Sequence, residues 1–270
     1  MVKLSLEFLG SGTSVGVPCI GCDCPVCTST DPLNKRLRSS ALVRGYDAAG
    51  NVATTVVIDT SADFRQQMLR AGVRHLDAVL ISHHHADHVV GIDDVRRYNA
   101  LQNAPLDCWA TPGTLATLRQ SFWYVFSDVD YVRWGLPCLR PRPIAHGQPI
   151  EVGCLRIEPL ALDHEVIQNT GFRITCDGSA ALAYCLDVKR IPPESYARLK
   201  GTHTLVLDML RETPHPTHMS LSEALEAVAR IAPQRAWFAH IAHEVDHRAL
   251  EARLPPHIRV AYDGLVLEIS

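Results

Sequence analysis

The chain has 270 residues, 47 % hydrophobic and 20 % charged, with a formal net charge of −3 from 26 basic and 29 acidic side chains. This composition excludes a disordered or fibrous chain and is long enough for one large core or two modest ones. The lack of a basic surplus argues against a nucleic-acid coat or an anionic-membrane dock, and no run of 18 apolar residues is available to span a bilayer.

Val2–Leu9 alternates as a strand does. It carries Glu7 and lacks both a long apolar stretch and a small-residue cleavage site, so it does not read as a secretory leader, and the expected compartment is the cytoplasm. Gly10–Ser14 forms a turn, and four cysteines follow within residues 19–27. Ser40–Arg44 and Thr54–Asp59 are strands separated by the turn 47–51. Thr60–Asp63 fits a capping box for a helix that carries Phe64, Met68 and Leu69 and is closed by Gly72. Leu76–Ser82 is an almost uninterrupted apolar strand that delivers the chain to a histidine cluster at 83–88, with a helix near Ile92–Leu101.

Leu106–Ala110 is a short strand, and Pro112–Phe126 a helix with proline at its start. Residues 127–150 are rich in proline and aromatic side chains and are expected to be irregular or to form short strands. Strands follow at Leu155–Ala161, Gly171–Cys176, Ala180–Leu186 and Thr204–Asp208. Ser220-Leu221-Ser222-Glu223 is a capping box, with apolar residues at 221, 224, 225, 228 and 231 on one helix face. Ala236–Ala239 is a strand ending at His240, and Ile258–Ala261 and Leu265–Ile269 flank Asp263-Gly264, expected to be a hairpin turn. No linker or repeat divides the chain. The pattern predicts a layered α/β protein with mixed sheets and outer helices, residues 1–270 forming a single domain.

The strongest chemical signal is His83-His84-His85-Ala86-Asp87-His88 at the end of an apolar strand. Period-two alternation sends His83 and His85 to one side, while Asp87 and His88 in the following turn can face a second position. Imidazole and carboxylate donors in this pattern suit zinc, manganese or iron.

This His-x-His-x-Asp-His pattern resembles that of the metallo-β-lactamase fold hydrolases, and the resemblance extends in order along nearly the whole chain. It implies a four-layer αββα fold with two mixed sheets between helices. It also implies three further ligands at strand ends, matched by His164, Asp187 and His240. By resemblance, His83, His85 and His164 hold one divalent ion, Asp87, His88 and His240 hold the other, and Asp187 bridges them.

Cys19, Cys22, Cys24 and Cys27 fall within nine residues, a spacing that can wrap a chain around tetrahedral zinc. Nine cysteines cannot all pair within one chain, and in a reducing compartment thiols and metal ligands are expected rather than disulfides. Cys22-x-Cys24-x-x-Cys27 together with His243 resembles the structural zinc site of the PhnP phosphodiesterases of the carbon–phosphorus lyase pathway. Cys19 is the competing fourth ligand. Cys108, Cys138, Cys154, Cys176 and Cys185 lie mostly in apolar runs and read as small core residues.

Thr217-His218-Met219-Ser220 before a capped helix is similar to the segment that delivers a phosphate-facing histidine in PhnP and ribonuclease Z relatives, which makes His218 the substrate-binding or general-acid candidate. Asp87 and Asp187 join it as catalytic candidates. Asp208 either orients His218 or joins the metal shell, and His215 is the weaker candidate, expected at the surface. Arg38, Arg133, Arg140 and Arg142 are candidate phosphate contacts.

The resemblance implies two catalytic ions, zinc, manganese or iron, plus one structural zinc. The expected reaction is hydrolysis of a small phosphodiester, a cyclic ribose phosphate among the candidates, by a hydroxide generated between the two ions. It also implies a homodimer. Lactone or thioester hydrolysis on the same fold is the main rival. Transfer-RNA 3′ processing is disfavoured by the missing inserted arm and the negative charge. A PqqB-like role and a non-catalytic zinc-binding protein complete the alternatives.

Overall fold

The computed structural model describes residues 3–127, 134–165 and 167–270; Arg133 and Val2 lie outside them. Its strands are β1 (Leu4–Gly10), β2 (Ser40–Tyr46), β3 (Val52–Ile58), β4 (Ala78–Leu80), β5 (Leu106–Ala110), β6 (Leu139–Pro143), β7 (Ile150–Val152), β8 (Leu155–His164), β9 (Ile167–Cys176), β10 (Leu182–Cys185), β11 (Thr204–Asp208), β12 (Arg235–Ala239), β13 (Ile258–Val260) and β14 (Val266–Ile269). The helices are α1 (Pro25–Thr28), α2 (Phe64–Arg70), α3 (Ala86–Val89), α4 (Arg96–Gln102), α5 (Pro112–Ser121), α6 (Pro193–Leu199), α7 (Leu221–Ile231) and α8 (His247–Glu251).

Two mixed sheets result, in the orders β14-β1-β2-β3-β4-β5-β6 and β13-β12-β11-β10-β9-β8-β7. In the first sheet β3 to β6 run parallel; in the second, β10 to β13 do.

Strand alternation sorts the side chains into layers. Leu4, Leu6, Phe8, Val43, Val56, Ile58, Ala78 and Leu80 of the first sheet meet Leu155, Ile157, Phe172, Ile174, Leu182, Tyr184 and Val206 of the second. The alternate residues Leu42, Val57 and Val79 pack outward on Phe64, Met68, Ile92, Leu115 and Leu118. On the far side Ala183, Cys185, Leu205, Leu207 and Phe238 pack on Ala224, Val228 and Ile231 of α7. Covering both faces of each sheet explains why the inner strands read as nearly continuous apolar runs. The expected αββα layering is the observed one.

Several local expectations need correction. β13 and β14 do not pair with each other; they are edge strands of different sheets. Asp263-Gly264 is a crossover rather than a hairpin, because Asp263 accepts from the Ser11 and Leu37 N–H groups (2.9 and 2.8 Å) and Gly264 N–H donates to the Phe8 carbonyl (2.7 Å). The capping box at 60–63 does not form. Asp63, the N-cap of α2, is turned instead to Arg38, at 2.9 Å from its N–H and 3.1 Å from its guanidinium. The Pro112–Phe126 helix breaks at Ser121 into a 3₁₀ turn, Trp123–Phe126, and the Ile92–Leu101 helix opens with 3₁₀ geometry over Val90–Val95. Helices α6 and α8 were not expected. The box at Ser220 forms as expected, with Glu223 accepting from the Ser220 N–H at 2.8 Å.

Candidate metal centre and cleft

The parallel strands of both sheets discharge their carboxyl ends at one rim, the place where such sheets gather ligand-binding loops. Asp59 follows β3, residues 83–88 follow β4, Asp187 follows β10, Asp208 ends β11 and His240 follows β12, while His164 ends β8. Asp59, Asp187 and His240 have φ of +64°, +51° and +62°, so the chain turns sharply as each strand delivers its residue to the rim. β4 ends three residues before His83, so strand alternation does not aim the histidines as expected. His83 lies in the loop, His85 caps the N-terminus of α3, and their ring nitrogens still converge at 2.9 Å.

Donor atoms of His83, His85 and His164 lie within 4.8 Å of one another, as do those of Asp87, Asp187 and His240, and of His83, His88 and Asp187. His88 Nε2 is 3.2 Å from both Asp87 Oδ2 and Asp187 Oδ2, and Asp187 Oδ2 is 3.3 Å from His240 Nδ1. Each of the seven expected ligands is therefore brought into one cluster.

The surrounding hydrogen bonds aim the rings. His88 Nδ1 lies 2.7 Å from Asp59 Oδ2, and His164 Nδ1 lies 2.9 Å from the Thr217 carbonyl. A carboxylate and a carbonyl only accept, so each Nδ1 carries a hydrogen and Nε2 is the ring atom left to face the cluster. Ser39 Oγ is 3.0 Å from His240 Nδ1, and Asn169 donates to the Leu186 and Asp187 carbonyls at 2.7 Å each.

The donors suit cations. Burial, and then the neighbouring imidazoles, hold His83 and His85 below the ordinary imidazole range, and burial holds His240 there too. Neutral imidazole is the form that binds metal. Burial opposes charge on His88, but Asp187, Asp59 and Asp87 outweigh it and hold its pKa well above the ordinary imidazole range, so a metal ion would have to displace the Nε2 proton that these carboxylates favour. His88 Nε2 and Asp187 Oδ2 are buried and face each other at 3.2 Å without a well-directed hydrogen bond. Buried polar atoms are seldom left so, and an imidazole nitrogen and a carboxylate oxygen placed this way could hold a metal ion.

Asp59 is the main residue missed from sequence. It accepts from the Ser82 N–H and hydroxyl, both at 2.8 Å, as well as from His88. It follows an apolar strand as Asp187 does, but nothing local in the sequence points it to His88. Asp59→Asn is expected to weaken metal binding by about 10–100-fold, the usual cost of losing such an orienting partner. Competition with a chromophoric chelator measures it.

His218 adjoins the cluster, its donor atom within 4.8 Å of those of His164 and Asp187, on the wall of a cleft of about 350 Å³ that is lined in part by Ser14, His85, Asp87, His164, Asp187 and His240. Its ring centroid is 4.8 Å from that of His164 and 4.9 Å from that of His240. Its Nδ1 is 2.8 Å from Asp208 Oδ2, and Asp208 is fully buried. Asp208 thus orients His218. Burial opposes the imidazolium, but this carboxylate prevails and lifts the His218 pKa to about 9. His215, expected at the surface, is half-buried, lines the same cleft and sits 5.2 Å from His218 ring to ring. The candidate phosphate contacts are engaged elsewhere: Arg38 with Asp63, and Arg140 and Arg142 with Asp107.

Cys22, Cys24, Cys27 and His243 form a second cluster. His243 Nδ1 is 3.3 Å from Cys22 Sγ and 3.4 Å from Cys24 Sγ. Hydrogen bonding by the Cys27 N–H and then by His243 lowers the Cys24 thiol pKa to about 6, toward the thiolate that zinc requires. Cys19 stands outside, its thiol on the Gly16 carbonyl at 3.3 Å.

Residues 54–241 match the beta-lactamase superfamily domain. A crystal structure of a diphosphatase from the PhnP family superposes with a TM-score of 0.87 at 36 % identity, covering 98 % of this chain and 97 % of that one. An octanoyltransferase of Porphyromonas gingivalis is 36 % identical over 260 residues, 96 % of this chain but 50 % of the relative, so the chain spans half the length of that protein. A ribonuclease Z of Shouchella clausii is 27 % identical over 211 residues, 76 % of this chain and 59 % of the relative. In agreement with the αββα layers and the ligand pattern at their rim, the chain belongs to the beta-lactamase superfamily, among the metallo-β-lactamase fold hydrolases of the PhnP family.

Proposed function

We propose that the protein is a dinuclear metal-dependent hydrolase of small phosphodiesters, with cyclic ribose phosphates among the candidate substrates. The observation that carries this reading is the buried Asp208–His218 pair, 2.8 Å apart, on the cleft wall beside the metal-ligand cluster. In this reading His83, His85 and His164 would hold one ion and Asp87, His88 and His240 the other, with Asp187 available to both. Two divalent ions so held supply Lewis acidity and a water of lowered pKa. The protein's own residues do the rest. Asp59 and the Thr217 carbonyl fix the His88 and His164 rings, and Asp208 turns the His218 Nε2 to the cleft. His218 binds the anionic phosphoryl group and gives a proton to the departing oxygen. Cys22, Cys24, Cys27 and His243 would hold a structural zinc. The fold supports this chemistry without choosing its substrate, and the similarity to a PhnP-family diphosphatase favours phosphoryl over acyl transfer and adds phosphoanhydrides to the substrate classes to test.

The match to half of an octanoyltransferase supports one second reading, hydrolysis of a medium-chain acyl thioester. The test is hydrolysis of bis(p-nitrophenyl) phosphate, a cyclic ribose phosphate, a dinucleoside diphosphate and an octanoyl thioester by protein loaded with manganese or zinc. Chelator-sensitive cleavage of a phosphorus ester is expected. Thioester cleavage alone, with both sites loaded, would replace the phosphodiesterase reading with the second one. Light scattering on the same preparation tests the homodimer that the resemblance implies.

A further inference from the structure

We propose that Arg36 is a positioning residue that couples the thiolate site to the dinuclear cluster, so that metal held by Cys22, Cys24, Cys27 and His243 tightens metal binding through His240. The proposal rests on the metal reading above. The two sites share one short stretch of chain: His240 faces the cluster and His243, three residues on, faces the thiolates. Whatever fixes this stretch fixes one ligand of each site.

Arg36 is built to do so. It is 1 % exposed, the largest fully buried side chain among the described residues. A buried cation needs compensation, and here it comes from oxygens rather than a contacting carboxylate. The guanidinium donates to the Ala242 carbonyl at 3.4 Å, the Val245 carbonyl at 3.0 Å and Asn34 Oδ1 at 3.1 Å. The two carbonyls bracket His243. Asn34 continues the clamp, donating to Asp246 at 2.7 Å and accepting the His247 N–H at 3.0 Å. Burial, eased by the more distant Asp263 and Asp246, lowers the Arg36 pKa to about 10, which leaves it charged at neutral pH.

The same residue grips the other arm of the thiolate site. Its backbone pairs with Val17 through two bonds of 2.8 Å, at the entry to the cysteine loop. It also reaches the cluster. A Cβ on Gly12 would fall 2.8 Å from Arg36 Cβ, so only glycine permits this approach. The Gly12 carbonyl accepts the Ser39 hydroxyl at 2.9 Å, and Ser39 Oγ lies 3.0 Å from His240 Nδ1. A contiguous path therefore runs from the thiolates through the His243 turn, Arg36, Gly12 and Ser39 to His240.

The test loads both sites with cobalt. Cobalt on thiolates gives a charge-transfer band that cobalt on imidazole and carboxylate lacks, so the occupancies are read separately. Affinity at the His/Asp cluster is measured by chelator competition in wild type, Arg36→Met, Arg36→Lys, Cys24→Ser and the Arg36→Met/Cys24→Ser double variant. Each of Arg36→Met and Cys24→Ser is expected to weaken the cluster's metal by about 10-fold or more. Arg36→Lys recovers part of the loss, and the double variant is no worse than Arg36→Met alone, because both act through one path. If Arg36→Met does not fold, ejecting the thiolate-bound cobalt from wild type with a mercurial supplies the same comparison: faster release from the cluster supports the coupling. Unchanged cluster affinity or release, or additive losses in the double variant, overturns it. Wild-type protein that takes no cobalt at the His/Asp cluster overturns the metal reading itself, and this proposal with it.

Discussion

Asp187→Asn is expected to weaken binding of the metal pair and to lower turnover by about 10³-fold at saturating metal, the upper end of what a single electrostatic group supplies in an enclosed site. Asp187 is 3 % exposed, and its Oδ2 lies within 3.3 Å of both His88 and His240. Burial alone would favour the neutral acid, but the His240 and His88 imidazoles hold the carboxyl well below its ordinary range. The negative charge is therefore present where two cations would be shared. Asparagine keeps the shape and tolerates the backbone φ of +51°, which alanine resists, so the substitution removes charge and little else. Metal content by mass spectrometry and far-ultraviolet circular dichroism separate loss of the ions from loss of the fold. A variant with two ions and undiminished turnover would remove Asp187 from the bridging position.

Much of this centre was legible in the sequence because its chemistry is local or sits at strand ends. Four of the expected ligands fall within six residues, 83–88, and His164, Asp187 and His240 each follow an apolar run that a parallel or buried strand requires. What was not legible depends on two distant segments meeting. Asp59 shows its role only when β3 and β4 lie parallel and carry it to His88, 29 residues away. The choice of His243 over Cys19 was likewise open, because it depends on the Cys19 thiol turning to the Gly16 carbonyl while the 243 turn closes on the cysteine loop. Asp263-Gly264 misled for a related reason. Its two residues carry hairpin chemistry, but the flanking strands belong to different sheets, and tertiary hydrogen bonds to Ser11 and Leu37 override the local preference.

His218→Ala is expected to leave both metal sites filled and still cost about 10²–10⁴-fold in kcat, the range for a positioned general acid. The contrast with Asp187→Asn is what assigns the two roles: one weakens metal binding, the other removes only a proton donor and anion contact. Leaving-group dependence divides those last two functions. p-Nitrophenolate departs without a proton, whereas an alkoxide does not, so a general acid matters far more for an alkyl diester than for bis(p-nitrophenyl) phosphate. A purely binding histidine would cost both substrates alike and appear mainly in KM. The geometry favours the acid. Asp208 sits 2.8 Å from His218 Nδ1, which fixes a protonated ring, and it also accepts the Val188 N–H at 2.9 Å, so the carboxylate cannot swing away. Asp208→Asn should therefore reproduce much of the alkyl-diester defect with His218 still in place, since the amide no longer holds the ring charged. Equal losses on both diesters would reassign His218 to phosphate binding. Undiminished rates on both, with metal retained, would take it out of the reaction altogether.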